Sequence, residues 1–345
     1  MNLKKSIAVI GGGFYGCHIA LTLNSLGFNV KLFEKNNELL SEASGNNQFR
    51  LHMGFHYPRH FETRVQSRDG FIRFNERYPL FSRAVNNNYY AVPKYDSLID
   101  FRTYKAIMSS SGIDFIEAQA VPHFFKDIEG CIVAQERVLF VDTARNYFTK
   151  QLDSILFLNH EIKSIVDKSD QIYVDGEPFD FTIDSTWGHL KELQENVYFE
   201  PTILFYCSTQ NEFPAVTLVD GDLCSVYPTQ NNNIYTLSSV PHTPLGNFSV
   251  AKDAKQALLN LSSHVIDEKK LLMRNQISKY IPDFDNIFRF EEPQLSIKTK
   301  LKGLHANRSC YVSLQGRSFS VMSGKIDTVF FATDKILSLL SLQNI

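Results

Sequence analysis

Residues 7–16 read Ile7-Ala8-Val9-Ile10-Gly11-Gly12-Gly13-Phe14-Tyr15-Gly16, and Glu34 closes the next apolar run. An apolar strand that runs into glycines predicts a sharp turn into a helix. Gly11 permits the tight turn, Gly13 leaves room for a pyrophosphate against the backbone, and Gly16 lets the helix lie close to the strand. Unpaired N–H groups at the helix N-terminus then face the phosphates with a partial positive charge. Ile19, Leu23 and Leu26 give that helix its apolar side, Gly27 ends it, and Val30-Lys31-Leu32-Phe33 forms the second strand. Glu34 stands at the end of this strand, where its carboxylate can accept both hydroxyls of an adenosine ribose. The same charge repels a 2′-phosphate, which disfavours NADP. A glycine-rich turn alone is a weak signal; here the order strand, helix, strand, acid makes it a dinucleotide fingerprint.

At 345 residues, 43% of them hydrophobic, the chain can hold one large or two interleaved domains with a proper core. A formal net charge of −2 gives no electrostatic basis for binding nucleic acid or an anionic membrane. Cys17, Cys131, Cys207, Cys224 and Cys310 form no C-x-x-C pair, and an odd, scattered set fits free thiols in a reducing compartment. The apolar run after the basic start is only about five residues, too short for a signal peptide. No apolar stretch reaches the ~18 residues of a membrane span, so a cytoplasmic protein without membrane span is expected. His242 and His305 stand alone, and no metal site is expected.

Beyond the fingerprint, residues 41–60 are rich in Gly, Asn, His and Arg, too long and too polar for a plain connector, which predicts a functional loop. Residues 75–130 mix short strands, such as Tyr89-Tyr90-Ala91-Val92, with a helix over 98–111. A nucleotide-domain pattern returns from 138, with a helix over 144–151 and strand-like runs at 154–157, 161–165, 172–174 and 180–184. The last run ends in Ser185-Thr186-Trp187-Gly188. Residues 197–300 alternate strands with one helix over 252–266, and 203–239 reads as a sheet. A strand near 311–314, then Ser323-Gly324-Lys325 and a helix to about 340, close the pattern. A nucleotide fold that is left and re-entered twice is a discontinuous domain. The expected division is 1–75, 136–196 and 301–345 for that domain, and 76–135 with 197–300 for a substrate domain.

The fingerprint with Glu34, the loop Ala43-Ser44-Gly45-Asn46-Asn47, the segment His52-Met53-Gly54-Phe55-His56-Tyr57 and the strand end Asp184-Ser185-Thr186-Trp187-Gly188 resemble one family. It is that of FAD-dependent oxidoreductases related to D-amino-acid oxidase, glycine oxidase, sarcosine oxidase and L-2-hydroxyglutarate dehydrogenase. The resemblance covers roughly residues 5–60, 138–190 and 305–340, and 44–58 is nearest to the 2-hydroxyglutarate type. It implies an α/β fold: a Rossmann-like FAD-binding domain of glutathione-reductase type with an inserted, β-rich α+β substrate domain. It also implies non-covalent FAD. Gly11, Gly13 and Gly16, with Phe14 and Tyr15 between them, are then expected at the pyrophosphate, and Glu34 with neighbouring Lys35 at the adenosine ribose. Ser44, Asn46 and Asn47 fall where the family's loop meets the pyrophosphate and flavin ring. Ile162 falls where a backbone amide meets adenine, and Thr186 and Gly188 where the sheet end approaches ADP. Ser323, Gly324 and Lys325 fall beside the flavin N1–C2=O edge, where a helix dipole or a lysine stabilises the reduced ring; this chain departs there from the family's Gly-His-Gly. Some members tether their flavin through a C-terminal cysteine, so Cys310 reads either as a tether or as a buried thiol.

Flavin oxidation of an amine or alcohol needs a group to bind the substrate's polar end and a base if the donor is a hydroxyl. His52 and His56 are the candidate bases, or else they only bond loop backbone. Arg50 and Arg59 can grip a carboxylate with a bidentate fork, or else sit in surface ion pairs. Tyr57 can add a hydrogen bond to the same substrate. Tyr227 and Tyr235 either line the pocket or fill the core. Three functional readings follow: oxidation of a small amine or 2-hydroxy-acid-like substrate by hydride transfer to flavin N5, with O2 or another electron acceptor; oxidation of a sugar or amino sugar by the same cofactor; and nucleotide binding without redox turnover.

Overall fold

In the computed structural model, which describes residues 5–193, 196–303, 307–322 and 324–342, the chain forms two units. The first comprises Met1–Gly45, Val141–Val197 and Thr299–Ile345. Its centre is a six-stranded sheet in the order Tyr311–Gln315, Ser318–Met322, Phe181–Asp184, Ser6–Ile10, Asn29–Phe33, Leu156–Phe157. All neighbours run parallel except the 311–322 hairpin. Ile7, Ala8 and Val9 are wholly buried, as expected of a parallel strand covered on both faces. The helix Phe14–Ser25 returns the chain to the second strand and packs beside the helices Val141–Leu152 and Val329–Leu342. Register sets Ile10 opposite both Phe33 and Asp184. The glycine turn therefore leaves the sheet between two parallel neighbours, at their carboxyl ends, where open α/β sheets bind ligands.

Two expectations change here. The run 161–165 is not a strand: regular strand begins at Ile165 and spans Ile165–Asp167. Ile162 instead buries its side chain with Ala8, Ile10 and Phe33, in the cluster that joins the small antiparallel sheet of 165–179 to the main one. The first half of the run 154–157 belongs to a 3-10 turn, leaving a two-residue edge strand, Leu156–Phe157.

The second unit comprises Asn46–Phe140 and Tyr198–Lys298. Residues 46–75, expected with the nucleotide part, group here, because Arg50–Leu51 pairs with Arg137–Leu139, which also pairs with Ser82–Ala84. An eight-stranded sheet runs Arg289–Leu301, Val197–Ser208, Ile234–Ser239, Cys224–Pro228, Ala215–Leu218, Asn88–Pro93, Ile128–Val133, Ile116–Glu117. Alternation gives it two different faces. Val216, Leu218, Cys224, Val226, Tyr235 and Leu237 pack with Met273, Ile277 and Tyr280 of the helix Ser263–Tyr280 into the core. The opposite face carries Tyr90, Thr217, Ser225 and Ser238 in one cross-strand row, and Tyr227, Thr236 and Tyr206 in the next. The single helix expected over 252–266 is two, Ala251–Leu259 and Ser263–Tyr280. Asn260 ends the first, and the Ser262 hydroxyl, accepting from the Val265 N–H (3.4 Å), starts the second. Among the described residues no helix is long and apolar enough to cross a membrane.

Candidate functional site

The glycine turn is shaped by contacts that leave no room for side chains. Gly11 has φ +101°, and its N–H donates to the Phe33 carbonyl (2.8 Å). A Cβ on Gly16 would lie 1.8 Å from the Gly11 carbonyl oxygen, so only glycine allows this helix-to-strand approach. One on Gly13 would lie 3.0 Å from the Ser44 hydroxyl oxygen, which itself accepts from the Phe14 N–H (3.1 Å). The buried Glu34 carboxylate accepts the N–H groups of Gly12 (2.6 Å) and Asn36 (2.8 Å). Two hydrogen bonds leave a carboxylate spare lone pairs for ribose hydroxyls. A side-chain-free turn, helix N–H groups at its exit and a buried acid one strand away fit the ADP half of FAD.

The other expected cofactor residues lie at varied distances from this turn. The Tyr15 hydroxyl donates to the Lys325 carbonyl (2.7 Å) and lies 2.6 Å from the Thr328 hydroxyl, which ties the start of the first helix to the turn before the last. Lys325 and Gly324 precede the 3-10 turn Ile326–Thr328; Ser323 lies outside the described residues. Thr186 caps Asp184 through its N–H (2.8 Å) and hydroxyl (2.6 Å), and Gly188 has φ +80°. Lys35 pairs at the surface with Glu42 (2.7 Å). Asn46 and Asn47 open the second unit, where the Asn47 side chain accepts from the Phe49 N–H (2.5 Å). Burial pushes the Cys310 thiol up to about 12.

The second unit holds a different cluster. Arg50, 6% exposed, donates from Nη1 to the Thr217 hydroxyl (2.6 Å) and to the Tyr90 hydroxyl (3.3 Å). Its guanidinium lies 4.0 Å over the ring of Tyr227. Nε and Nη2 are buried and have no partner among the described residues. The balancing charge is Glu136, wholly buried, which accepts from the Tyr90 hydroxyl (2.8 Å), the Met53 N–H (2.9 Å) and the Asn88 amide (3.3 Å). Burial pushes the Glu136 carboxyl above its ordinary range, against the opposing pull of Arg50 and these donors. His52 Nδ1 lies 3.8 Å from a Glu136 oxygen, and the His52, His56 and Tyr57 rings stand 5.2–6.1 Å apart. Arg50, His52, His56 and Tyr57 are thus brought together. Arg59 is not: its half-exposed side chain pairs with Asp220. Tyr227 lies under Arg50, whereas Tyr235 packs in the core, its hydroxyl on the Phe213 carbonyl (2.5 Å).

Sequence reading missed Glu136, Tyr90 and Thr217. The sequence around the acid, Ala134-Gln135-Glu136-Arg137, looks like a polar loop; only the pairing of 137–139 with 50–51 buries it. Around this cluster the sheet face is rich in hydroxyls. The Ser225 hydroxyl donates to the Gln48 side chain (3.1 Å), Gln294 donates to the Tyr206 hydroxyl (2.7 Å), and Gln294 Oε1 and the Ser296 hydroxyl have no partner among the described residues. Also among the described residues, no group of His, Cys, Asp or Glu could hold a metal ion.

Residues 6–141 match the model of the FAD dependent oxidoreductase family. The chain is 55% identical over 335 residues to the FAD-dependent monooxygenase FPY4 of Fusarium mangiferae, across 97% of this chain and 91% of that protein. It is 26% identical to the FAD-dependent monooxygenase kojA of Aspergillus flavus, across 97% and 85%. Among solved structures it resembles glycine oxidase from Geobacillus kaustophilus (TM-score 0.71, 13% identity, 98% of this chain and 95% of that one). It also resembles FAD-bound L-alpha-glycerophosphate oxidase from Mycoplasma pneumoniae (TM-score 0.72, 13% identity, 98% and 95%). These structures share the fold: a Rossmann-like FAD domain with a β-rich partner.

Proposed function

This chain belongs to the family of FAD-dependent oxidoreductases, an enzyme with FAD as its cofactor, and on that premise we propose that it oxidises a small acidic substrate at a carbon bearing nitrogen or oxygen. One observation carries the substrate class: a buried Arg50 with Nε and Nη2 open. These two donors form one edge of a planar fork that matches a carboxylate. Stacking on Tyr227 fixes the plane of that fork, and the Thr217 hydroxyl holds the remaining nitrogen. Gly11, Gly13, Gly16, Glu34 and Ser44 hold the dinucleotide. When bound, FAD supplies a hydride acceptor at its N5.

His52 takes the proton released from the substrate's hydroxyl or amine. Glu136 lies 3.8 Å from its Nδ1. Tyr57, beside His56, donates to the substrate's polar end. The hydroxyl-rich sheet face around Thr217, Ser225, Thr236 and Tyr206 favours a second reading, in which the substrate is sugar-like and several of its hydroxyls meet this face.

The test is a screen for flavin bleaching in the absence of oxygen, over amino acids, N-methyl amino acids, 2-hydroxy acids, amino sugars and sugar acids. Bleaching by acidic members and not by their amides or esters supports the proposal. Bleaching only by uncharged sugars moves it to the second reading, and no bleaching by any substrate of either class overturns both. The relatives named monooxygenases add one arm: with 18O2, label in the product marks oxygen insertion, and label only in hydrogen peroxide marks simple oxidation.

A further inference from the structure

Trp187 is the single tryptophan of the chain. It follows the strand Phe181–Asp184, whose end lies beside the end of the first strand, so Ser185 runs along the glycine turn. The Ser185 N–H donates to the Ile10 carbonyl (2.9 Å), and its hydroxyl lies 3.0 Å from the Gly11 carbonyl oxygen. Two residues on, Trp187 adopts φ +57°, a left-handed conformation rare for a bulky side chain. Thr299 donates its hydroxyl to the Trp187 carbonyl (2.9 Å), and the indole meets the Tyr15 ring edge-to-face at 5.9 Å. Tyr15 is the second residue of the helix that starts at the glycine turn. The Trp187 backbone is thus held by Thr299, and its indole lies against Tyr15 of that helix's first turn.

Its nitrogen is the informative atom. Trp187 Nε1 is buried and has no hydrogen-bond partner among the described residues. An indole N–H usually finds an acceptor when buried, and one left without costs its full desolvation. The Tyr15 hydroxyl is directed instead at the Lys325 carbonyl and the Thr328 hydroxyl. This corner also presents the first N–H groups of the helix, which draw in anionic oxygens. We propose that Trp187 donates its indole N–H to a phosphate oxygen of the bound FAD, adding a side-chain donor to the backbone N–H groups of the glycine turn. The proposal rests on the glycine turn being the dinucleotide site, and flavin retained by the wild-type protein through gel filtration establishes cofactor binding independently.

The solitary tryptophan makes the test direct. In 15N-labelled full-length protein stripped of flavin, the indole gives one isolated N–H resonance. ADP is expected to move it downfield, and adenosine, which lacks the pyrophosphate, to leave it near its starting position. Trp187→Phe keeps the ring and deletes the donor. It is expected to bind ADP about tenfold more weakly, to bind adenosine as the wild type does, and to lose FAD faster on dilution. An indole resonance moved equally by ADP and adenosine, or by neither, overturns the proposal. So does a folded Trp187→Phe protein with unchanged ADP affinity. Should the variant not fold, the wild-type resonance decides by itself.

Discussion

Arg50 and Glu136 are charges taken out of water together, and each is tolerated because of the other. Removing one partner of such a pair costs about 3–5 kcal/mol, since the other is left buried and uncompensated. Arg50→Lys keeps the charge and loses the planar fork. The expected result is a KM for the acidic substrate raised about tenfold or more, with FAD content and kcat near wild type, read by steady-state kinetics and flavin absorbance. Wild-type kinetics in this variant would move the substrate's anchor elsewhere. Glu136 predicts a pH effect with a definite sign. Its folded pKa lies above the ordinary carboxyl value, so the native state holds the proton more tightly than the unfolded chain. Its contribution is therefore full below the unfolded value, about 4.3, and is lost as pH rises through the folded value. The stability of wild type minus that of Glu136→Gln should fall with rising pH across this window in urea titrations, whatever the constant offset. A flat difference would show that Glu136 does not titrate abnormally. At this scale the sequence was readable where the backbone demands one residue type, as at Gly11 and Gly16. It was unreadable where long-range pairing buries an ordinary-looking acid, as at Glu136, or sends an arginine to a distant aspartate, as at Arg59.

The strand–turn–helix element around Gly11 to Gly16 depends on missing side chains, and its two later glycines do different work. Gly16 serves packing: its Cβ would stand 1.8 Å from backbone oxygen, and backbone cannot rotate aside. Gly16→Ala should lower the melting temperature by an amount corresponding to ~3 kcal/mol or more, even in excess FAD. Gly13 is proposed to serve the ligand. Its Cβ would meet only the Ser44 hydroxyl, at 3.0 Å, which can give way. Gly13→Val should therefore fold, with wild-type circular dichroism, yet retain no flavin. A Gly13→Val protein that keeps stoichiometric FAD would separate the turn from the cofactor. Elements were legible where their local signals agree. The first strand, helix and second strand follow from periodicity and glycine placement. The break between Leu259 and Ser263 did not, because the apolar spacing continues across it and only the Ser262 cap marks the restart.

For the whole molecule, the proposed site places the cofactor on one of two units. On that proposal FAD binds the folded first unit and not the unfolded chain, and so stabilises it by mass action, about 2.7 kcal/mol at a free concentration 100 times Kd. Hydrogen exchange with and without FAD should gain protection in Met1–Gly45, Val141–Val197 and Thr299–Ile345. The core of the second unit, the strands Ala215–Leu218, Cys224–Pro228 and Ile234–Ser239 under Met273 and Ile277, should change little. Equal gains throughout would mean that the two cores open as one cooperative system. The β-rich character of the second unit was legible from its alternating strands. Its polar face was not, because a row such as Tyr90, Thr217, Ser225 and Ser238 is assembled from four strands far apart in sequence.

The interleaving has a consequence for synthesis. On the ribosome the strand Ser6–Ile10 emerges with only Asn29–Phe33 to pair with; its other neighbour, Phe181–Asp184, comes some 150 residues later. Ser318–Met322, which covers that neighbour in turn, follows only after Tyr198–Lys298 has been made. At about 5–20 residues per second, roughly 7–30 s separate each arrival. Throughout that time the nascent chain carries a largely apolar strand with an unpaired edge, the kind of surface that joins neighbouring chains on a polysome. The second unit, by contrast, is complete once Lys298 has been added. Completion of the first sheet is thus deferred until Ser318–Met322 has emerged, and slowing elongation lengthens the exposure of that edge rather than shortening it.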